Sequence, residues 1–79
     1  MKDVHIPKMG MSTVEVDVLR VLVSPGQRVA AGDVLVEIES EKANYEIEAE
    51  AGGTVTEVLV SEGDVKEVGD VIARIEEDA

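Results

Sequence analysis

Cysteine is absent from this 79-residue chain, and with it go disulfide staples, thiolate metal sites and thiol nucleophiles. Such a chain is compatible with a reducing compartment. Tryptophan and phenylalanine are absent too, and Tyr45 is the only aromatic residue. The stacking platform on which single-stranded bases are usually held is therefore missing. Cations are scarce: seven Lys and Arg stand against eighteen Asp and Glu, for a net charge of −11. A surface of that sign repels phosphate backbones and anionic lipid, which argues against nucleic acid and membrane as partners. No apolar run approaches the length of a membrane span, and the opening MKDVHIPK lacks an apolar signal-peptide core. The single histidine, His5, has no nucleophile or acid partner at a recognisable catalytic spacing and reads as a solvent-facing strand residue. No D-x-[DN]-x-[DN]-G calcium loop is present. The expectation is no catalytic residue, no metal site, and hence no independent enzyme.

What the chain does have is valine, with isoleucine and leucine, broken at short intervals by turn signals. These are Ser24-Pro25-Gly26, Ala31-Gly32-Asp33, Ala51-Gly52-Gly53, Glu62-Gly63-Asp64 and Gly69-Asp70. Between them run alternating stretches such as VEVDVLRVLV and VLVEIES. β-Branched residues suit a pleated surface, and short alternating runs with regular turns predict an all-β sandwich or barrel. The chain also repeats itself. Residues 21–40 read VLVSPGQRVAAGDVLVEIES and residues 58–77 read VLVSEGDVKEVGDVIARIEE, identical at ten of twenty positions without a gap. Two copies are too few for a solenoid. They predict two half-domains related by a pseudo-two-fold within one domain, residues 1–79. The paired turn glycines are expected where φ must be positive.

The most acidic stretch, VEIESEKANYEIEAEAGG (residues 36–53), contains one cation, Lys42. Taken as antiparallel strands 34–40 and 43–49, it brings two apolar faces together when Ile38 pairs with Tyr45, Val36 with Ile47 and Val34 with Ala49. That register sends Glu37, Glu39, Glu46 and Glu48 to water and centres the loop on Glu41 and Lys42. The tip lacks the Asn-Gly or Asp-Gly of tight hairpins and suits a type I turn, so something besides local stability chose its residues. By the pseudo-symmetry, the strand returning from 71–77 is expected from the N-terminal segment Asp3–Pro7. The termini would then lie together, with the Lys42 tip at the opposite end.

On these residues the chain resembles a known family. Glu39-Ser40-Glu41-Lys42-Ala43 with Glu46 is similar to the lipoyl-attachment motif E-[ST]-D-K-A-x-x-E, and Ile6-Pro7-Lys8-Met9-Gly10-Met11 to the M-P-K-L-G-M opening of lipoyl domains. These are the lipoyl domains of acyltransferase (E2) components of 2-oxo acid dehydrogenase complexes. Gly26, Gly32, Gly53, Gly63 and Gly69 fall where that family has turns. The resemblance covers essentially the whole chain. It departs at Glu41, where the family usually has Asp, and at Ile6, where Met is frequent; this leaves open which complex the domain serves.

The resemblance implies a flattened barrel of two four-stranded antiparallel sheets, with lipoic acid amide-linked to Lys42. It implies that a lipoate ligase or a lipoyl/octanoyl transferase reads Glu39, Glu46 and Gly26, with Ser40, Glu41 and Ala43 forming the attachment turn. The loop Lys8, Met9, Gly10, Met11 and Ser12 would help partner enzymes recognise the domain. Those partners would be the decarboxylase (E1), the acyltransferase core (E2) and the flavin dehydrogenase (E3). The isolated domain is expected to be a monomer, in bacterial cytoplasm by default or the mitochondrial matrix if eukaryotic. Met1 fits a natural start and Glu76–Ala79 the first step of a linker, so an excised domain and a free-standing carrier both remain open. The nearest alternative is a biotin carboxyl carrier domain, which shares the fold but usually has Met on both sides of its lysine. An unmodified barrel-sandwich adaptor is the other alternative, and such adaptors often lack a lysine at the tip.

Overall fold

The computed structural model describes residues 2–7, 15–41 and 43–78. Eight strands follow in order: β1 (Lys2–His5), β2 (Glu15–Val21), β3 (Arg28–Val29), β4 (Val34–Glu39), β5 (Asn44–Glu48), β6 (Gly53–Val58), β7 (Val65–Glu67) and β8 (Val71–Glu77). They form two four-stranded sheets, β1-β8-β6-β3 and β5-β4-β2-β7, with antiparallel pairing throughout. This is the expected all-β, two-sheet architecture. The N-terminal segment supplies the partner of β8, pairing Lys2 with Ile75 and Asp3 with Arg74.

The repeat is visible in the backbone. Gly26 N–H donates to the Val55 carbonyl at 2.7 Å, and Gly63 N–H, thirty-seven residues later, donates to the Val18 carbonyl at 2.8 Å. Gly26 and Gly63 both have φ of 91°, a conformation that costs a residue with a Cβ roughly 1–2 kcal/mol. The next turns repeat as well: the Asp33 side chain accepts from Ala30 N–H at 2.9 Å, and that of Asp70 accepts from Glu67 N–H at 2.9 Å. Such Asp-capped turns provide locally the hydrogen bonds a strand end lacks. The short middle strand of each copy crosses over: β3 joins the sheet of β6 and β8, and β7 joins the sheet of β2 and β4.

The core lies between the sheets. Leu35, Val36, Ile38, Val55, Ile72 and Ala73 are all 0 % exposed. Neighbours in a regular strand point to opposite faces, so Leu35 and Val36 could not both be buried in an unbroken ladder. A register shift between Val34 and Val36 allows it. The same device recurs at Ile72 and Ala73, where pairing steps from Val4–Ala73 to His5–Val71. The bulge also corrects the hairpin register. Ile38–Tyr45 and Val36–Ile47 pair as expected, but Val34 faces Glu48 rather than Ala49. An extra residue is not legible from alternation alone.

Candidate functional site: an acidic hairpin tip

β4 and β5 are joined by a narrow loop. The last ladder pair is Glu39–Asn44, which leaves residues 40–43 to turn the chain. Ser40 and Ala43 close the loop: Ser40 N–H donates to the Ala43 carbonyl at 2.8 Å. The Ser40 hydroxyl donates to the same carbonyl at 3.0 Å and accepts from Ala43 N–H at 3.3 Å. Glu41 and Ala43 are exposed. Lys42 lies between them in sequence but outside the described residues, as does the expected partner loop Lys8–Ser12.

The outer face of the same sheet is acidic in a patterned way. Glu15 pairs with Glu67, Asp17 with Glu39, and Glu37 with Glu46. Like charges directly opposite in an antiparallel ladder are destabilising. Among the described residues one cation meets these acids: Arg20, paired with Glu37 across β2 and β4, reaches its carboxylate at 3.5 Å. Glu39 and Glu46 have no cationic partner among the described residues. Beside them an open groove of about 820 Å³ is lined by Leu19, Arg20, Tyr45 and the carboxylates of Glu37, Glu46 and Glu48. Tyr45 faces the groove while 37 % exposed, although its ladder partner Ile38 is fully buried.

The second copy of the repeat reverses two of the three charges in the corresponding row. Where the first places Arg20, Glu37 and Glu46 in a row across three strands, the second places Glu57, Arg74 and Asp3. Arg74 contacts both acids at 3.1 Å. Its guanidinium is held above its ordinary value, chiefly by the hydrogen bond to Glu57 and then by that to Asp3. The sheet of β1 and β8 thus has its central charge neutralised from both sides, and the sheet bearing the tip does not. The signal for this was in the repeat itself, where Glu37 aligns with Arg74 and Arg20 with Glu57. The buried Ser40, which aligns with exposed Glu77, could have been found in the same way.

Gly26 is not brought to the tip by any described contact; its N–H is anchored on Val55 in the other sheet. His5 is exposed and lines a second open groove, of about 450 Å³, with Glu46, Glu48 and Glu50. Among the described residues no three His, Asp or Glu side chains are grouped to hold a metal ion. Lys2 spans this edge to Glu50 at 3.1 Å, which raises the lysine above its ordinary value through the hydrogen bond and the charge.

A family model described as biotin-requiring enzyme, the biotin/lipoyl model, matches residues 2–75. The chain belongs to the biotin/lipoyl attachment family. Within it, similarity is to E2 components. The chain is 37 % identical over 79 residues to the dihydrolipoyllysine-residue succinyltransferase component of the 2-oxoglutarate dehydrogenase complex of Bacillus subtilis, covering all of this chain and 19 % of that protein. It is 38 % identical over 72 residues to the dihydrolipoyllysine-residue acetyltransferase component of the pyruvate dehydrogenase complex of Staphylococcus epidermidis, covering 91 % and 17 %. The chain therefore spans about a fifth of the length of these relatives. Among solved structures, the lipoyl domain of the 2-oxoglutarate dehydrogenase complex from Azotobacter vinelandii superposes with a TM-score of 0.79 at 28 % identity, covering 98 % of both chains. The attachment domain described here has the lipoyl-domain fold.

Proposed function

We propose that this attachment domain is a lipoyl carrier of a 2-oxo acid dehydrogenase-type complex, with lipoic acid joined by an amide to Lys42. The observation that carries the reading is the tip. By sequence the lysine falls in a loop closed by Ser40 and Ala43, between the exposed Glu41 and Ala43, in a hairpin whose Glu39 and Glu46 have no cationic partner among the described residues. The residues fit the group: a primary amine is the one side-chain function here that forms a stable amide, and an exposed turn admits a modifying enzyme. The amine must be deprotonated to attack an activated acyl group, and the modifying enzyme must arrange this.

When attached, the dithiolane would supply acyl- and electron-carrying chemistry, while the protein supplies position and recognition. An extended lysine-plus-lipoyl arm reaches on the order of 10–15 Å from Cα. Tethering raises its local concentration at each active site. In this reading Glu39 and Glu46 are presented to the lipoate ligase or lipoyl/octanoyl transferase, and the acidic face of β2, β4 and β5 meets basic surfaces of the decarboxylase (E1), acyltransferase core (E2) and flavin dehydrogenase (E3). The family also includes biotin carriers. The flanking Glu41 and Ala43, where biotin acceptors usually have methionines, favour lipoate.

The test is to load the chain with lipoate by a ligase and ATP, then offer it to decarboxylases specific for pyruvate, 2-oxoglutarate, branched-chain acids or acetoin. Acylation by one of them supports the carrier reading and names the complex; no acylation of a loaded chain by any of them contradicts it.

A further inference from the structure

Ser40 is the one polar residue among the described residues that is buried. Its hydroxyl uses both of its hydrogen-bonding capacities on a single neighbour, donating to the carbonyl of Ala43 and accepting from its N–H. With the backbone bond from Ser40 N–H, three hydrogen bonds join the residues on either side of Glu41 and Lys42. A two-residue loop without a glycine or asparagine has no turn chemistry of its own to hold it. Here the side chain of the preceding residue supplies that hold. The other copy of the repeat provides the comparison. It has no hairpin at this point, and the residue aligned with Ser40 is the exposed glutamate Glu77.

We propose that Ser40 is a positioning residue for the modification of Lys42: its hydroxyl fixes the backbone on both sides of the lysine, so that the modifying enzyme meets a preorganised loop. This rests on the carrier reading above. Preorganisation cuts the ordering cost of docking, so the effect belongs in recognition by the enzyme rather than in the reactivity of the amine. Loss of this part-buried hydrogen-bond pair corresponds to roughly a three- to tenfold change.

The experiment measures lipoate-ligase kinetics on wild type, Ser40→Ala and Ser40→Thr, alongside amide-hydrogen exchange at Ala43 and acetylation of Lys42 by a small N-hydroxysuccinimide ester. For Ser40→Ala the expected result is kcat/KM lowered about three- to tenfold, mainly through KM. Exchange at Ala43 should be faster and chemical acetylation unchanged. Ser40→Thr, which keeps the hydroxyl, should restore the enzymatic rate. Should Ser40→Ala melt below the assay temperature, Ser40→Cys keeps the volume while weakening both hydrogen bonds and gives the same comparison. Equal enzymatic rates for wild type and the variant would overturn the proposal while leaving the carrier reading intact. So would an equal slowing of enzymatic and chemical acylation. A wild-type chain that accepts no lipoate would bring down both.

Discussion

Gly53 sits where the chain leaves no room for a side chain. A Cβ there would meet the Glu76 carbonyl, with Glu77 Cα and Ile75 Cγ2 each at 2.9 Å. Two of the three obstacles are backbone of the adjacent β8 and cannot swing aside. Gly53→Ala is therefore expected to cost about 2–3 kcal/mol, at the upper end of overpacking penalties, read as a lowered urea midpoint. Gly26→Ala meets no atom within 4 Å, so its cost should be confined to the positive φ, about 1–2 kcal/mol. The pair separates crowding from backbone conformation. Both glycines read as turn residues in the sequence; Gly26 is one, with its positive φ, whereas Gly53 opens β6 and pairs with Val29 and Glu77, so the two are required for different reasons. Lys2 adds a pH test. Its raised pKa means that its pairing with Glu50 contributes below the ordinary lysine value of 10.5 and is lost as the pH rises through the higher folded value. The difference in melting temperature between wild type and Lys2→Gln should hold from neutral pH to about 10 and vanish in stronger alkali. A difference that persists there would show that the side chain acts through packing instead.

At the level of strands and hairpins, the sheet of β5, β4, β2 and β7 sets like charges directly opposite one another, an arrangement that costs stability. Three acidic pairs oppose each other on its outer face. Glu67→Lys, opposite Glu15 and remote in sequence from the tip, should raise stability by about 0.2–1 kcal/mol. The modification of Lys42 should be unaffected. Glu39→Lys relieves Asp17 in the same manner and should also raise the urea midpoint, but on the carrier reading it should lower the rate of lipoylation. Opposite signs for stability and modification at one position would show that the acid is retained for recognition. The hairpin itself was largely legible: apolar alternation fixed which faces met, and the register held from the tip to Val36–Ile47. It failed at Val34 because the bulge at Leu35 buries two consecutive residues, and alternation carries no mark of an inserted residue. The charge row Glu57–Arg74–Asp3 was legible in part, since Arg74 aligns with Glu37 and Glu57 with Arg20 at the offset of the repeat. That Asp3 completes it becomes visible only on folding, because the row joins three strands far apart in sequence.

Across the whole molecule, the two copies of the repeat exchange their middle strands, β3 and β7, between sheets. A fragment of residues 15–50 would contain β2, β3, β4 and β5, leaving β3 without β6 and β2 without β7. Neither half should fold alone by circular dichroism, whereas the two mixed should recover strand signal. A half that folds independently would contradict the shared core. The repeat and the all-β class were readable before folding, because each rests on local pattern, and the two four-stranded sheets were implied by the family resemblance. The interleaving was not, since no local feature tells a two-residue strand which sheet to join. The acidic tip stands at the end of one hairpin of this interleaved frame, and the proposed role of the domain requires that the tip carry lipoate on Lys42. The most direct test is intact mass after incubation with a lipoate ligase, ATP and lipoate, beside a Lys42→Ala chain and a parallel biotin-ligase reaction. The expected result is one lipoyl adduct on the wild-type chain, none on the variant and none from the biotin ligase. A folded wild-type chain without a lipoyl adduct, or one that takes biotin instead, would contradict it.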